Sequence, residues 1–572
     1  MMTTTDAHTA PASTVDTKLA GKPTAKPRAK KPEGQWKIDG TQPLNHDEEV
    51  KQVEPVLEVK QRVLDMYSKQ GFDSIPADDL APRFKWLGMY TQRKQNLGGE
   101  HTGKDNSELQ DSYFMMRIRF DGGRCTTEQA RAVGEISRDW ARSTIDLTDR
   151  QNIQLHWVEI ENVPAIWDKL DSVGLTTLDG CGDVPRVILG SPVAGIAADE
   201  LIDATPAIET ITRDLLLREE FQNLPRKFKS AISGNARQDV THEIQDLAFQ
   251  AVEHPDLGAG FQVYVGGGLS TNPMLAQPLG VFVTLEQVPE VWANVVRIYR
   301  DYGFRRLRNR ARLKFLVAQW GVDKFREVLE DYLGYALPDG PAAPANLIDR
   351  DHIGLHKQKD GNYYLGVKPT LGHLSGEQLI AVADLAESHG LTRLRFTPFK
   401  ELLFLDVPED KVGALTNDLD QMGLYSQPSE FRRGLLSCTG LEYCKLAHVT
   451  TKSRAIELAD ELEDQFGDLD SPITIALNGC PNACARTQIA DIGLKGQTVT
   501  DADGNRVEGF QVHLGGTLGE GANFGRKIRG HKVISSELTD YVTRVVGNYK
   551  RDRGKGELFR EWLVRADEED IK

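Results

Sequence analysis

"TIDLTDRQNIQLHWVEIENVPAIWDKLDSVGL", residues 144–175, returns later in the chain as "RLRFTPFKELLFLDVPEDKVGALTNDLDQMGL", residues 393–424. The displacement is 249 positions: Thr148 meets Thr397, and Gly174 meets Gly423. Upstream, Thr126-x-x-Gln129 meets Ser375-x-x-Gln378 at the same displacement, each with the pattern of a capping box. Ala132-Val133 then meets Ala381-Val382. Downstream, "FQVYVGGG" (261–268) meets "FQVHLGGT" (510–517). One displacement kept at separated places marks an internal duplication, with two halves related by a pseudo-twofold axis.

Each half reads strand, helix, strand, helix, then a longer α/β segment. In the first half the strand "YFMMRIRF" (113–120) precedes a helix over 127–142, with Ala130, Val133, Ile136 and Trp140 at near-helical spacing. A strand over 150–158 and a helix near 164–173 follow, and the second half repeats the order from 363 to 423. This order predicts an α+β class built from two-layer modules. Alternation along 150–158 predicts Arg150, Asn152, Gln154 and His156 on one face, with Ile153, Leu155 and Trp157 on the other. The second copy has Phe399, Glu401, Leu403 and Leu405 at the four polar positions. A solvated sheet face is the ordinary reading of such a strand. A mixture of Arg, Asn, Gln and His without Lys or Glu tilts the expectation toward a ligand-facing surface.

Composition bounds the rest. The 572 residues allow several domains, and 40% hydrophobic with 27% charged residues describes a soluble globular chain. No apolar run is long enough for a bilayer, and no signal segment opens the chain, so a cytoplasmic protein without a membrane role is expected. Six cysteines in so long a chain do not make a secreted disulfide framework. The net charge of −15 disfavours nonspecific nucleic-acid binding. Residues 1–45, rich in Thr, Ala, Pro and Lys, cannot bury a core and are expected to be a disordered tail.

Four of the six cysteines lie in two motifs near the C-terminus. "SCTGLEYCKLA" holds Cys438-x5-Cys444 and "NGCPNAC" holds Cys480-x3-Cys484. Two thiolate pairs serve either zinc or a cubane iron–sulfur cluster. Neither spacing is the common C-x2-C of zinc sites, and 35 residues separate the pairs.

Together these motifs resemble the siroheme- and [4Fe–4S]-dependent sulfite and nitrite reductases, and most closely the single-chain, ferredoxin-dependent sulfite reductases of actinobacteria. The likeness covers nearly the whole chain after residue 45, duplication included. It implies that Cys438, Cys444, Cys480 and Cys484 bind the cubane, with Cys484 also bridging to the siroheme iron. Asn482, inside the second pair, is expected to contact the cofactor. Arg117, Arg186, Lys227 and Lys229 match the family's two arginines and Lys-x-Lys around the distal face of siroheme. Read by chemistry, a small oxyanion that loses oxygen needs cations to bind it and supply protons. Each cation alone would more often be a surface charge. Nitrite-specific relatives tend to have Asn where Lys229 stands, so the resemblance favours sulfite over nitrite. Arg150, Asn152, Gln154 and His156 gain a role beside the macrocycle, Arg150 as the partner of a siroheme carboxylate. Tyr90 and Cys181 occupy the places of the thioether cross-link found in the actinobacterial enzymes. Cys125 is expected to be a structural thiol.

The expected organisation is a tail (1–45), a wrapping segment (46–110), a first ferredoxin-like half (111–180) and a siroheme and substrate segment (181–345). A second ferredoxin-like half (346–430) and a cluster-binding segment (431–572) follow. No G-x-G-x-x-G follows a strand, so electrons must come from a separate protein, ferredoxin in this family. The basic run "GFRRLRNRARLKF" (303–315) serves either siroheme carboxylates or a ferredoxin dock, and Gly266–Gly268 and Gly515–Gly516 permit close backbone approach to a cofactor. Single-chain relatives tend to be monomers. The rival functions are assimilatory nitrite reduction, a cubane-only electron carrier, and a zinc-stabilised binding module without catalysis.

Overall fold

The computed structural model describes residues 45–235, 237–342 and 351–572. The expected tail thus lies outside the described residues, apart from Asn45, whose side chain accepts from Glu48 N and caps the helix His46–Val53.

Four five-stranded sheets carry the molecule. The first joins β1 (Met89–Arg93), β2 (Gln110–Ile118), β5 (Ile153–Val158) and β4 (Ile145–Leu147) in antiparallel order. The second joins β11 (Gly354–Lys357), β12 (Tyr363–Val367), β15 (Leu402–Val407) and β14 (Arg393–Phe396). Each sheet is completed by the other half: β13 (His373–Leu374) pairs with β4, and β3 (Arg124–Thr126) pairs with β14. This reciprocal exchange is the duplication made visible. Helices Thr127–Trp140 and Gly376–Ser388 begin with the expected capping boxes at Thr126 and Ser375. They cross closely enough that a Cβ on Gly134 would lie 2.7 Å from Gly376 O. Val133, Ile136, Leu379, Val382 and Ala383 share one buried core there.

The remaining two sheets are mixed. In one, β6 (Leu189–Gly190), β7 (Ser230–Ser233) and β8 (Leu247–His254) run parallel, and β9 (Gly258–Val265) and β10 (Gln277–Val283) return antiparallel. The other repeats this with β16 (Leu435–Ser437), β17 (Ile475–Asn478), β18 (Ile492–Thr500), β19 (Arg506–Leu514) and β20 (Arg526–Ile534). The backbone repeats in detail: Gln151 and Lys400 are both left-handed (φ 57° and 63°), as are Trp157 and Asp406 (φ 65° and 61°).

Two expectations about the polar strand fail here. The strand starts at Ile153 rather than residue 150, because 148–151 form a turn closed by Gln151 N to Thr148 O. Arg150 therefore belongs to the turn. Register slips between Phe114↔Val158 and Met116↔Leu155, which is a β-bulge at His156–Trp157. Val158, not Trp157, joins Ile153 and Leu155 in the core.

The segment before β1 is bound by charge. Lys51 Nζ reaches Glu48 at 2.5 Å and Asp183 at 3.4 Å, with the Lys51 and Asp183 side chains at most 1% exposed. Arg308 meets Asp183 through two bonds of 2.8 and 2.9 Å, and Arg226 adds a third contact at 3.2 Å. Burial opposes the Asp183 charge, but these cations prevail and hold the carboxyl well below its usual range. Removing one partner of a buried pair strands the others, at a cost of about 3–5 kcal/mol. Asp183→Asn is expected to lower the thermal unfolding midpoint accordingly. An unchanged midpoint would assign the docking of this segment to Val50, Val56 and Val59 instead. Among the described residues no helix is long and apolar enough to cross a membrane.

Candidate functional site

The parallel strands β16 and β17 end side by side, and each delivers a cysteine loop from its carboxyl end: Cys438 follows Ser437, and Cys480 follows Asn478-Gly479. The thiols of Cys438, Cys444, Cys480 and Cys484 lie within one another's electrostatic reach. Burial, then mutual repulsion of thiolates, raises three of them, Cys444 to about 12 and Cys480 and Cys484 above the usual thiol range. Such a set ionises only around a strongly cationic centre. Among the described residues no three His, Cys, Asp or Glu side chains are grouped for a single metal ion. Gly479 N donates to Cys438 Sγ at 3.1 Å, the kind of backbone bond that tunes cluster sulfurs.

The second loop is held in a strained shape. Ala483 and Arg486 are left-handed (φ 56° and 64°), and Asn478 Oδ1 accepts from Ala485 N at 2.6 Å. Arg486 Nη2 donates to Asp149 O and Pro398 O, one carbonyl from the corresponding turn of each ferredoxin-like half. Asn478, Asp149 and Arg486 escaped sequence reasoning. Their only signal was proximity to Cys480, Arg150 and Cys484.

Against this loop opens a cavity of about 330 Å³, lined by Asp149, Arg226, Lys227, Lys229, Arg312, Lys314 and Asn482 among others. Arg312 is paired with Asp246 at 2.7 Å, and Lys314 Nζ donates to three backbone carbonyls. The Lys227 and Lys229 ammonium groups have no such partner among the described residues. Burial, then neighbouring cations, holds Lys227 well below the usual lysine range. Lys229 is held down to about 8, chiefly by burial, with Asp149 opposing the shift. Half-buried cations without an ion-pair partner at a cavity wall favour an anion.

Arg117 and Arg186, expected beside this pair, are both bonded to the 180–182 loop, and Arg117 lies within electrostatic reach of Cys484 and Asp149. Arg117 donates to Gly180 O (3.0 Å), Cys181 Sγ (2.8 Å) and Gln154 Oε1 (2.7 Å). Arg186 donates to Gly180 O (3.1 Å) and Gly182 O (2.7 Å). Both clasp the 180–182 loop and add positive charge there. Tyr90 shares this field, its hydroxyl raised to about 12 by burial and the Cys181 charge. Of the predicted polar strand, Gln154 orients Arg117, Asn152 Oδ1 accepts from Phe120 N, and His156 meets Asp146 at 3.0 Å. Arg150 is spent on Gln245 Oε1 (2.9 Å) and Val187 O (2.5 Å), only its Nε lacking a partner. The sequence could not show these internal partners.

Within the basic run, Arg305 pairs with Glu48, Arg308 with Asp183 and Arg312 with Asp246, while Arg308, Arg312 and Lys314 also line the cavity. The Gly267 close approach is to Glu243 O and Gln245 O, both 2.6 Å from an added Cβ. Cys125 is buried between the halves, as a structural thiol should be. A second cavity of about 360 Å³, lined by Glu401, Thr474 and Pro472, is the duplicate of the first. Registers place Thr474 and Pro472 where the first half has Lys229 and Lys227, so the copy has lost its anion-binding pair.

Residues 181–337 and 429–572 match the nitrite and sulphite reductase 4Fe-4S domain. Residues 107–173 and 356–422 match the nitrite/sulfite reductase ferredoxin-like half domain. The chain is 54% identical to sulfite reductase [ferredoxin] 2 of Mycolicibacterium paratuberculosis, covering 96% of this chain and all of that one. It is 34% identical to the assimilatory ferredoxin-dependent nitrite reductase of Haloferax mediterranei, covering 87% and 88%. The solved structure of the Mycobacterium tuberculosis NirA protein superposes with a TM-score of 0.92 at 52% identity, covering 95% and 100%.

Proposed function

This chain belongs to the nitrite and sulphite reductase family, and on that premise we propose that it reduces sulfite to sulfide with electrons from ferredoxin. The observation that carries the reading is the cavity that Lys227 and Lys229, without an ion-pair partner among the described residues, line together with Asn482 and Ala483 of the cysteine loop. Hydrogen sulfite takes up six electrons and six protons to give hydrosulfide and three waters. Cys438, Cys444, Cys480 and Cys484 would hold the [4Fe–4S] cluster, and the cavity beside Cys484 would hold siroheme. When bound, the pair stores electrons and delivers them to sulfur.

The chain's own residues supply the rest. Lys227 and Lys229 bind the anion, and Arg117 and Arg186 deepen the positive field behind it. Lys229 Nζ, held down to about 8, is protonated at neutral pH and releases its proton more readily than a free lysine. It is the group suited to protonating each oxygen that leaves as water. Arg117 is aimed by Gln154, and the loop that Arg117 and Arg186 clasp brings Cys181 toward Tyr90, where the thioether would form. The cytoplasm is the proposed location, a reading supported by a count of six cysteines in 572 residues, too few for a secreted disulfide framework.

The test is an absorption spectrum of anaerobically purified protein, followed by turnover with reduced methyl viologen. A siroheme spectrum and sulfide release at higher kcat/KM than ammonia release from nitrite is the expected result. A nitrite preference would move the chain to the other branch of its family. A colourless zinc protein would end the catalytic reading.

A further inference from the structure

We propose that the chain receives its electrons at the surface built on Tyr113, Arg142 and Trp157, where an acidic, single-cluster ferredoxin docks, and that Trp157 and Tyr443 link this surface to Cys444. The proposal rests on the reading that the cysteines hold a cluster.

The starting point is the backbone of Trp157. A bulky residue at φ 65° is an outlier that costs about 1–3 kcal/mol. The bulge turns the indole out of the core and stands its ring against Tyr443, with centroids 5.9 Å apart at 68°. Tyr113 meets the other side of Trp157 at 5.6 Å. The Arg142 guanidinium lies 4.6 Å from the Tyr113 ring centre and 4.5 Å from that of Trp157. Arg142 is itself delivered by a left-handed pair, Arg142 and Ser143. Inward, Tyr443 stacks on His156 at 3.9 Å and directly precedes Cys444. Arg93 N donates to Tyr443 O at 3.1 Å, which pins the loop to β1. A packed path thus runs from the outer surface to a cluster cysteine.

The duplication provides an internal control. Asp406, the counterpart of Trp157, has the same left-handed backbone, but its carboxylate is paired with Arg393. Asn362 and Leu391 replace Tyr113 and Arg142 in that half. The bulge is therefore a property of the fold. The indole, phenol and guanidinium were added only in the half that faces the cysteine loop.

The occupant follows from charge and size. The chain carries −15 overall, and the exposed Glu159 and Glu442 lie near Trp157 and Tyr443 in the chain, yet the exposed Arg142 sits on the aromatic pair itself and forms no ion pair among the described residues. Leu446, two residues past Cys444, is 55% exposed. Aromatic and arginine side chains with one apolar neighbour suit the small, transient interfaces of electron carriers. Local cations on an acidic protein select an acidic carrier at short range. In each encounter one electron leaves the reduced iron–sulfur centre of the carrier, which is oxidised, and reduces the centre held by the four cysteines. No bond forms and no proton moves.

The experiment uses holoenzyme and an acidic single-cluster ferredoxin. Trp157→Ala and Arg142→Glu are expected to raise the calorimetric Kd for oxidised ferredoxin about tenfold and to lower ferredoxin-driven kcat/KM at least as much. Trp157→Phe should recover most of the affinity. The absorption spectrum, the KM for sulfite and the rate with reduced methyl viologen should stay within about twofold of the parent. An unchanged Kd in both variants, or equal losses with viologen and ferredoxin, would overturn the proposal. A parent protein that fails to reduce sulfite with viologen strikes the functional reading instead, and the ferredoxin Kd still decides the docking surface.

Discussion

Cys484→Ser is expected to reduce sulfite turnover by on the order of 10³-fold, about 4 kcal/mol in the barrier. The iron content and visible absorption should fall with it. A serine oxygen is a hard, poorly ionised ligand where the site offers soft thiolates, and three remaining cysteines leave one iron of a cubane open. Cys484 is exposed at the surface of its loop, and desolvation together with the field of Cys438 pushes its thiol up, so a bound metal favours the thiolate. Full iron and an unaltered spectrum in the serine variant would remove Cys484 from the ligand set. Cys125→Ser serves as the control, since Cys125 lies buried between the halves in β3, away from the cysteine loops.

The second large effect concerns Lys229. Lys229→Asn should lower kcat/KM for sulfite by about 10²–10³-fold, the scale for removing one charged donor from a site where charge develops. Nitrite, which has one oxygen fewer and no doubly charged form, should lose less, so the ratio of the two substrates moves toward nitrite. The parent should also show an alkaline limb in kcat/KM near the Lys229 value of about 8. The protonated form is the active one, so activity falls as pH rises through that value. The limb should be absent in the asparagine variant. Equal loss for both anions with the limb intact would assign Lys229 a packing role and leave Lys227 as the proton source.

Much of the architecture was legible because duplication is written in side chains. Capping boxes at Thr126 and Ser375 are local, and local chemistry forms the same cap in any context. The cysteine pairs were legible for a similar reason, since spacing within each loop survives folding. The polar strand was misread in part. Alternation assumes an unbroken period of two, and a bulge is specified by the partner strand rather than by the bulged residues themselves. Hence alternation puts Trp157 on one face with Ile153 and Leu155, where the bulge places Val158 instead, and puts Arg150 on a strand it does not join.

By itself the sequence determined the duplication, the α+β class, the four cysteines and the Lys227–Lys229 pair, all of which depend on residue type and short spacing. Tertiary structure alone decided which cations stay unopposed. Arg312 is satisfied by Asp246, 66 residues away in the chain, whereas Lys227 and Lys229 form no ion pair among the described residues, Asp149 acting on Lys229 only through its field. It also decided that Arg117 and Arg186 brace the 180–182 loop, and that one of two equivalent bulges carries an indole to the cysteine loop. The physical reason is the same in each case. A charge or a ring acquires its role from what lies within a few ångströms of it, and those neighbours come from distant parts of the chain.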